Sequence, residues 1–329
     1  MKKIAFALPL FLILMHCTPS KKLNEILNSD YESHFISSGA NFPQISLDKN
    51  QRHLFLVGLH NGFSKNEISQ KLKWSKNDLR KEIALLTANG YLKEVNGILY
   101  PTISIITKKE GVELFKKTES IANEIAVTIT EIAQTIKEKF SLMEISKKHS
   151  FSEFSFFLYS DVLLDNWQIN NVETDFLKEK RTLRHGKRYY IQYAEKNPNY
   201  NREVFGIYGN QYRCAKGACF VTYGNNRKNH HKTLEELSKM NIPVLSKDDQ
   251  EILKEMASYY KPILIDILEK NRSLFEKEYK ISVYYNELTF SEYFIWYYHF
   301  LYTKTTDVLA KNKNIHIPET GIFRVKLEN

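Results

Sequence analysis

Three observations predict an α+β protein. Residues 47–90 carry three short helical patterns, two with clear start signals. Five isoleucines then recur at helical spacing between 121 and 136. Residues 187–224 switch to aromatic and β-branched strand patterns, with helical segments on either side. A chain of 329 residues has room for about two domains. The expected architecture is a helical N-terminal domain closed by a hairpin, a long connecting helix, and a mixed C-terminal domain with a small antiparallel sheet. The expected boundaries are a leader over 1–16, a tether over 17–46, the first domain with its long helix over 47–140, and the mixed domain over 141–329.

The chain opens with Lys2 and Lys3, followed by an apolar run of 12 residues from Ile4 to Met15, broken by Pro9. A spanning helix needs about 20 residues, so this run fits the core of a signal peptide instead. The junction "LMHC", Leu14 to Cys17, resembles the lipobox of bacterial lipoproteins, with His16 where that family prefers a small residue. The resemblance implies cleavage before Cys17, acylation of its thiol, and anchoring in the lipid bilayer of the cell envelope. Two or three acyl chains anchor a protein stably. The polar "TPSKK" beyond suits a tether.

From Leu47 the pattern turns helical. Leu54 and Val57 share a face, and Asn61-Gly62 ends that helix. Ser64 with Glu67 forms a capping box for a second helix, whose apolar side is Ile68, Leu72 and Trp74. Ser75 with Asp78 starts a third, in which Leu79, Ile83 and Leu86 form one stripe and Lys76, Asn77, Arg80 and Lys81 lie off it. "YLKEV" and "ILYPTISII" read as strands across an Asn96-Gly97 turn. One long helix is expected from Lys108 to Phe140, with Ile121, Ile125, Ile129, Ile132 and Ile136 along one side.

This order, with "LTANGYLKEVNGILYPTISIITKKEG" as its most specific stretch, resembles the winged helix-turn-helix of MarR-like regulators over residues 47–125. The resemblance implies a recognition helix over Ser75–Asn89, a wing tip at Val95–Leu99, and Lys76, Asn77, Arg80 and Lys81 at DNA. Asp78 and Glu82 interrupt that basic set, and the wing lacks Arg, which weakens attraction to phosphate. An exported chain meets no chromosome, so the same fold would then serve as a packing or protein-contact module.

The second half carries no family resemblance. "SFSEFSFFLYSDVLLDNWQI" reads as one buried helix, apolar nearly all round. "KRYYIQYAE", "REVFGIYG" and the segment around "YRCAKGACF" read as strands, and "NNRKNHHK" as a basic loop. Ser246 opens a helix that Pro262 should kink. Thr289 with Glu292 caps an aromatic helix expected at the centre of the second domain, and "IHIPETGIFRVKLEN" offers a final strand.

Net charge is +9, from 47 basic against 38 acidic residues, an ordinary excess that is also compatible with acidic partners. Beyond Cys17 there are two cysteines, Cys214 and Cys219, flanking a short hairpin. They are open to a disulfide in an oxidising compartment, to two free thiols, or to a metal site with His230 and His231. Two thiolates alone are an incomplete ligand set, so no metal and no cofactor is assigned. No glycine-rich phosphate loop, HExxH, G-x-S-x-G or paired CxxC is present. Asp161 and Asp165 sit four apart and read as two solvated or capping acids. Arg184, His185, Lys187 and Arg188 form a basic turn that could bind phosphate or an acidic sugar. His299 reads as a core histidine. Three functions follow. The leading one is a non-enzymatic binding or assembly protein of the envelope, whose partners are an envelope protein or an acidic glycan. The alternatives are a cytoplasmic MarR-like regulator and an envelope enzyme with a site in the second domain.

Overall fold

The computed structural model describes residues 23–196, 208–215, 217–225 and 232–328. Cys17 and the leader, "REVFGI", His230 and His231 lie outside the described residues. The protein is α+β, with short sheets set among fourteen helices in the described residues.

Helix α1 (Leu23–Asn28) and strand β1 (Tyr31–Ile36) come first. They correct the expectation of a tether through residue 46, because β1 pairs antiparallel with residues 190–195. That later strand is buried along its length, so its backbone groups need a partner on both edges. Helices α2 (Arg52–His60), α3 (Lys65–Lys71) and α4 (Lys76–Ala88) follow, then a hairpin of β2 (Leu92–Val95) and β3 (Ile98–Pro101). Ser64 and Ser75 cap α3 and α4, and Glu67 and Asp78 return the bond. Gly58 lets α3 approach α2 closely, since a Cβ there would lie 2.7 Å from Ile68. Asn96 (φ 53°) and Gly97 (φ 81°) supply the two left-handed positions of the hairpin turn. Leu79 and Leu86 are buried and Ile83 packs beside them, in a first core shared with Ile68, Tyr91 and Leu99.

Strand β4 (Ser104–Ile106) leads into α5 (Lys108–Lys117), α6 (Glu119–Glu131) and α7 (Ala133–Ser141). These replace the single expected helix, although i→i−4 bonds persist at both joints, Thr118 to Leu114 and Ile132 to Thr128. The Thr118 and Thr128 hydroxyls turn back onto the carbonyls of Phe115 and Ile125. Such bonds compete with the helix ladder and bend it. The five isoleucines nevertheless all face a second core.

Helix α8 (Phe151–Phe156) widens into π-type turns over Phe157–Val162, where Leu163 N donates to Leu158 O. Helix α9 (Asn166–Asn171) then runs into a second π-type stretch, Val172–Leu177. The one helix expected across 150–169 is therefore two pieces around a buried turn at Leu163–Asp165. Strands β5 (Leu183–Arg184) and β6 (Lys187–Arg188) make a small hairpin ahead of β7 (Tyr190–Glu195). Strand β7 lies between β1 and β4, antiparallel to the first and parallel to the second. Its side chains alternate, as a strand requires: Ile191 and Tyr193 enter the first core, Tyr190 the second. The expected boundary at 140/141 thus separates no independent packing units, because β7 belongs to both.

The Cys hairpin is β8 (Tyr208–Ala215) and β9 (Ala218–Asn225). Helix α10 (Leu234–Ser238), strand β10 (Val244–Leu245) and helices α11 (Lys247–Lys270), α12 (Arg272–Ile281), α13 (Tyr284–Glu287) and α14 (Phe290–Lys311) follow. Pro262 lies inside α11 without ending it. The last strand, β11 (Ile322–Leu327), completes a sheet of order β10-β11-β9-β8, parallel to β10 and antiparallel to β9. Helix α14 is buried on most faces and is the axis of the second core. Among the described residues no helix is long and apolar enough to cross a membrane.

Candidate functional site

Lys76, Asn77, Arg80 and Lys81 are all exposed on α4. Asp78 is exposed among them, but its carboxylate is occupied by the Ser75 backbone N–H and hydroxyl, which hold its pKa below the usual range. Glu82 is not on that face, which corrects the sequence reading. It is buried and takes Arg52 Nε at 2.6 Å and Asn50 Nδ2 at 2.7 Å. Burial alone would raise the Glu82 pKa; the hydrogen bonds from Arg52 and Asn50 and the Arg52 charge outweigh it and lower the value. The basic set is therefore less interrupted than expected. The tip of the β2–β3 hairpin is apolar, with Val95 47% and Ile98 56% exposed.

The basic turn does not form an anion site with four converging cations. His185 (φ 44°) and Gly186 (φ 77°) make the turn between β5 and β6. Arg184 points inward, and its side chain is 0% exposed. It pairs with Glu292 at 2.6 Å and donates to the carbonyls of Tyr189 and Thr102. Glu292 also accepts from the Thr182 hydroxyl. Burial raises the Glu292 pKa, and Arg184 opposes that rise. The exposed Arg188 donates to the Arg181 carbonyl. A guanidinium spent on a buried carboxylate has no capacity left for a phosphate.

A second buried charged group joins the two halves. His60 ends α2, where its Nδ1 lies 2.8 Å from Glu287 and its Nε2 lies 3.0 Å from Glu110. Glu110 at the start of α5 also caps that helix through Thr107. The ring of Tyr284 lies 5.5 Å from that of His60, and its hydroxyl donates to the Ile105 carbonyl. His299, by contrast, is a core histidine: its Nδ1 lies 3.0 Å from the Ile295 carbonyl, and burial lowers its pKa to about 4.

The feature that sequence reasoning misjudged most is the pair Asp161 and Asp165. Both are buried, not solvated. Asp161 Oδ1 accepts from Asn210 Nδ2 at 3.0 Å, while Asp161 Oδ2 and Asp165 Oδ2 have no hydrogen-bond partner. Burial pushes the Asp161 pKa up to about 7, and burial with the Asp161 charge raises Asp165 well above the carboxylate range. Tyr212 and Tyr223 from the hairpin strands and Tyr302 from α14 face them, with the Tyr302 hydroxyl donating to the carbonyl of Tyr208, whose ring lies 6.4 Å from that of Tyr223. The i, i+4 spacing was visible in sequence. That both acids face inward was not, because it depends on how the segment packs against the β8–β9 hairpin and α14.

Cys214 and Cys219 are disulfide-bonded and stand opposite one another in the β8–β9 register. Among the described residues no group of three His, Cys, Asp or Glu side chains is arranged to hold a metal. Two open grooves of about 420 and 440 Å³ lie elsewhere, one bordered by Lys137, Phe151 and His316, the other by Ala126, Val127 and Asn312. No family model, curated protein or solved structure matches the chain.

Proposed function

We propose that this chain is a bacterial cell-envelope lipoprotein, held to the bilayer through an acylated Cys17, whose winged-helix-like unit is a protein-contact surface. The wing tip carries the proposal. A wing that grips DNA presents cations to phosphate. Here the tip presents Val95 and Ile98 instead. Both are already about half covered, so completing their burial with protein yields about 1 kcal/mol each, and phosphate offers them nothing comparable. Lys76, Arg80 and Lys81 lie exposed on α4 of the same unit, so the fitting partner is an envelope protein with an apolar centre and an acidic rim. An acidic glycan would engage the cations alone. The test combines clickable fatty-acid labelling of wild type and Cys17→Ser with a photo-crosslinking residue in place of Ile98, in intact cells. Label lost in Cys17→Ser and crosslinks to a protein are expected. Equal labelling, or crosslinks to DNA, would reject the proposal.

A second reading, the cytoplasmic MarR-like regulator, is favoured by one observation: Arg52 draws Glu82 away from the basic face of α4. A titration of the full chain against duplex DNA separates the two. Binding that survives moderate salt and is lost in Arg80→Ala, with the fold intact, would move the assignment to the regulator. Weak binding that vanishes with salt is the ordinary behaviour of a basic protein.

A further inference from the structure

We infer that Asp161, Asp165 and Tyr223 form a closed site for a hard, oxygen-preferring cation. The strand register places the third group. Asn210 on β8 is the cross-strand partner of Tyr223 on β9, so their side chains share one face of the sheet. Asn210 donates to Asp161, which brings the Tyr223 phenol beside the acidic pair. Three buried oxygens there have no hydrogen-bond partner: Asp161 Oδ2, Asp165 Oδ2 and the Tyr223 hydroxyl. Tyr302 donates to the Tyr208 carbonyl, and its phenol also faces Asp165, which places a fourth oxygen at the pair.

Charge and size define the occupant. Among the described residues no lysine or arginine acts on either carboxylate, so two buried acids lack a cationic partner. An uncompensated buried carboxylate is strongly unfavourable unless it takes up a proton or a cation. Asp161, Asp165, Tyr223 and Tyr302 are almost fully buried, and neither open groove borders them. Burial this complete excludes an organic ligand and leaves a bare ion as the candidate occupant. The available donors are all oxygens, which select hard cations over zinc or copper. With two carboxylates and neutral oxygens, the site differs from a three-carboxylate or histidine cluster. Asp161 lies within the π-type turns, a local form frequent at functional sites.

The test uses the purified full chain, stripped with chelator and titrated with CaCl2, MgCl2 or NaCl during thermal unfolding. Terbium luminescence excited through tyrosine is a second readout, because Tyr212, Tyr223 and Tyr302 face the site. One of the three salts should raise Tm by about 5 °C at a hundredfold excess over its Kd. Terbium should show sensitised emission that the same cation displaces. Asp165→Asn should abolish both responses. Tyr223→Phe, which keeps both carboxylates, should weaken affinity about tenfold and serves if Asp165→Asn fails to fold. No Tm shift with any salt together with no sensitised emission overturns the site. So does a Tyr223→Phe protein that binds as tightly as wild type.

Discussion

His60 has an acceptor on each ring nitrogen, Glu287 at 2.8 Å and Glu110 at 3.0 Å. Donating to both requires both protons, so the ring is a buried imidazolium. Burial opposes that charge, but Glu110 and Glu287 outweigh it and hold the pKa well above 6.5. Glu110 is lowered, because His60 and Thr107 overcome its burial; Glu287 is raised, because burial outweighs His60. Lys93 and Tyr284 complete the charged and titratable surroundings. A histidine whose folded pKa is raised adds stability that is complete below about 6.5 and declines as pH rises toward the folded value. The wild type should therefore exceed His60→Gln by about 3 kcal/mol in urea unfolding at pH 6, and the gap should narrow by pH 9. A gap that stays constant across that range would refute the charged state. None of this was legible locally, since the partners stand 50 and 227 positions away. The same holds for Arg184, whose partner Glu292 is 108 positions distant. From sequence it is one more cation in a basic turn.

At the level of elements, local chemistry was readable and tertiary chemistry was not. Ser64, Ser75, Ser246 and Thr289 all start helices as their spacing predicts. Thr289 shows where the local rule stops: it accepts from the Glu292 backbone N–H, but the Glu292 carboxylate goes to Arg184 and Thr182. The π-type turns after α8 were hidden because the segment is apolar on every side and offers no period to break. Strand β1 was hidden because its value lies in the open edge of β7, some 160 residues later. The cap of α5 joins the two levels. Thr107 accepts the Glu110 N–H, and the Glu110 carboxylate accepts the Thr107 N–H and hydroxyl while facing His60. Thr107→Ala should cost about 1–2 kcal/mol, the usual range for a lost cap, and should also lower the His60 pKa by freeing Glu110. Thr107→Ser should restore both. NMR titration of the imidazole with urea unfolding reads the two effects, and a Ser variant as damaged as Ala would mean that packing of the methyl, not the cap, matters.

For the whole molecule, the question is whether the N-terminal helices and hairpin can stand alone. Sequence reading divides the chain at 140/141, but three structural ties cross that line. Strand β7 sends Ile191 and Tyr193 into the first core and Tyr190 into the second, and it is the sheet partner of both β1 and β4. Arg184 and Glu292 form a buried pair that also grips the Thr102 carbonyl next to the first hairpin. His60 meets Glu287 from α13. A fragment ending at Ser141 would leave β1 and β4 without their shared partner, open a gap in the first core and strand His60 against Glu110 alone. Each loss falls on buried groups, where an unmatched backbone or charge is expensive. The fragment 23–141 should therefore show reduced helical circular dichroism and no cooperative thermal transition, while the full chain should unfold in one transition seen alike by far-UV and near-UV signals. Two separated transitions in the full chain, or a fragment with native-like helicity and a sharp melt, would show an autonomous N-terminal domain.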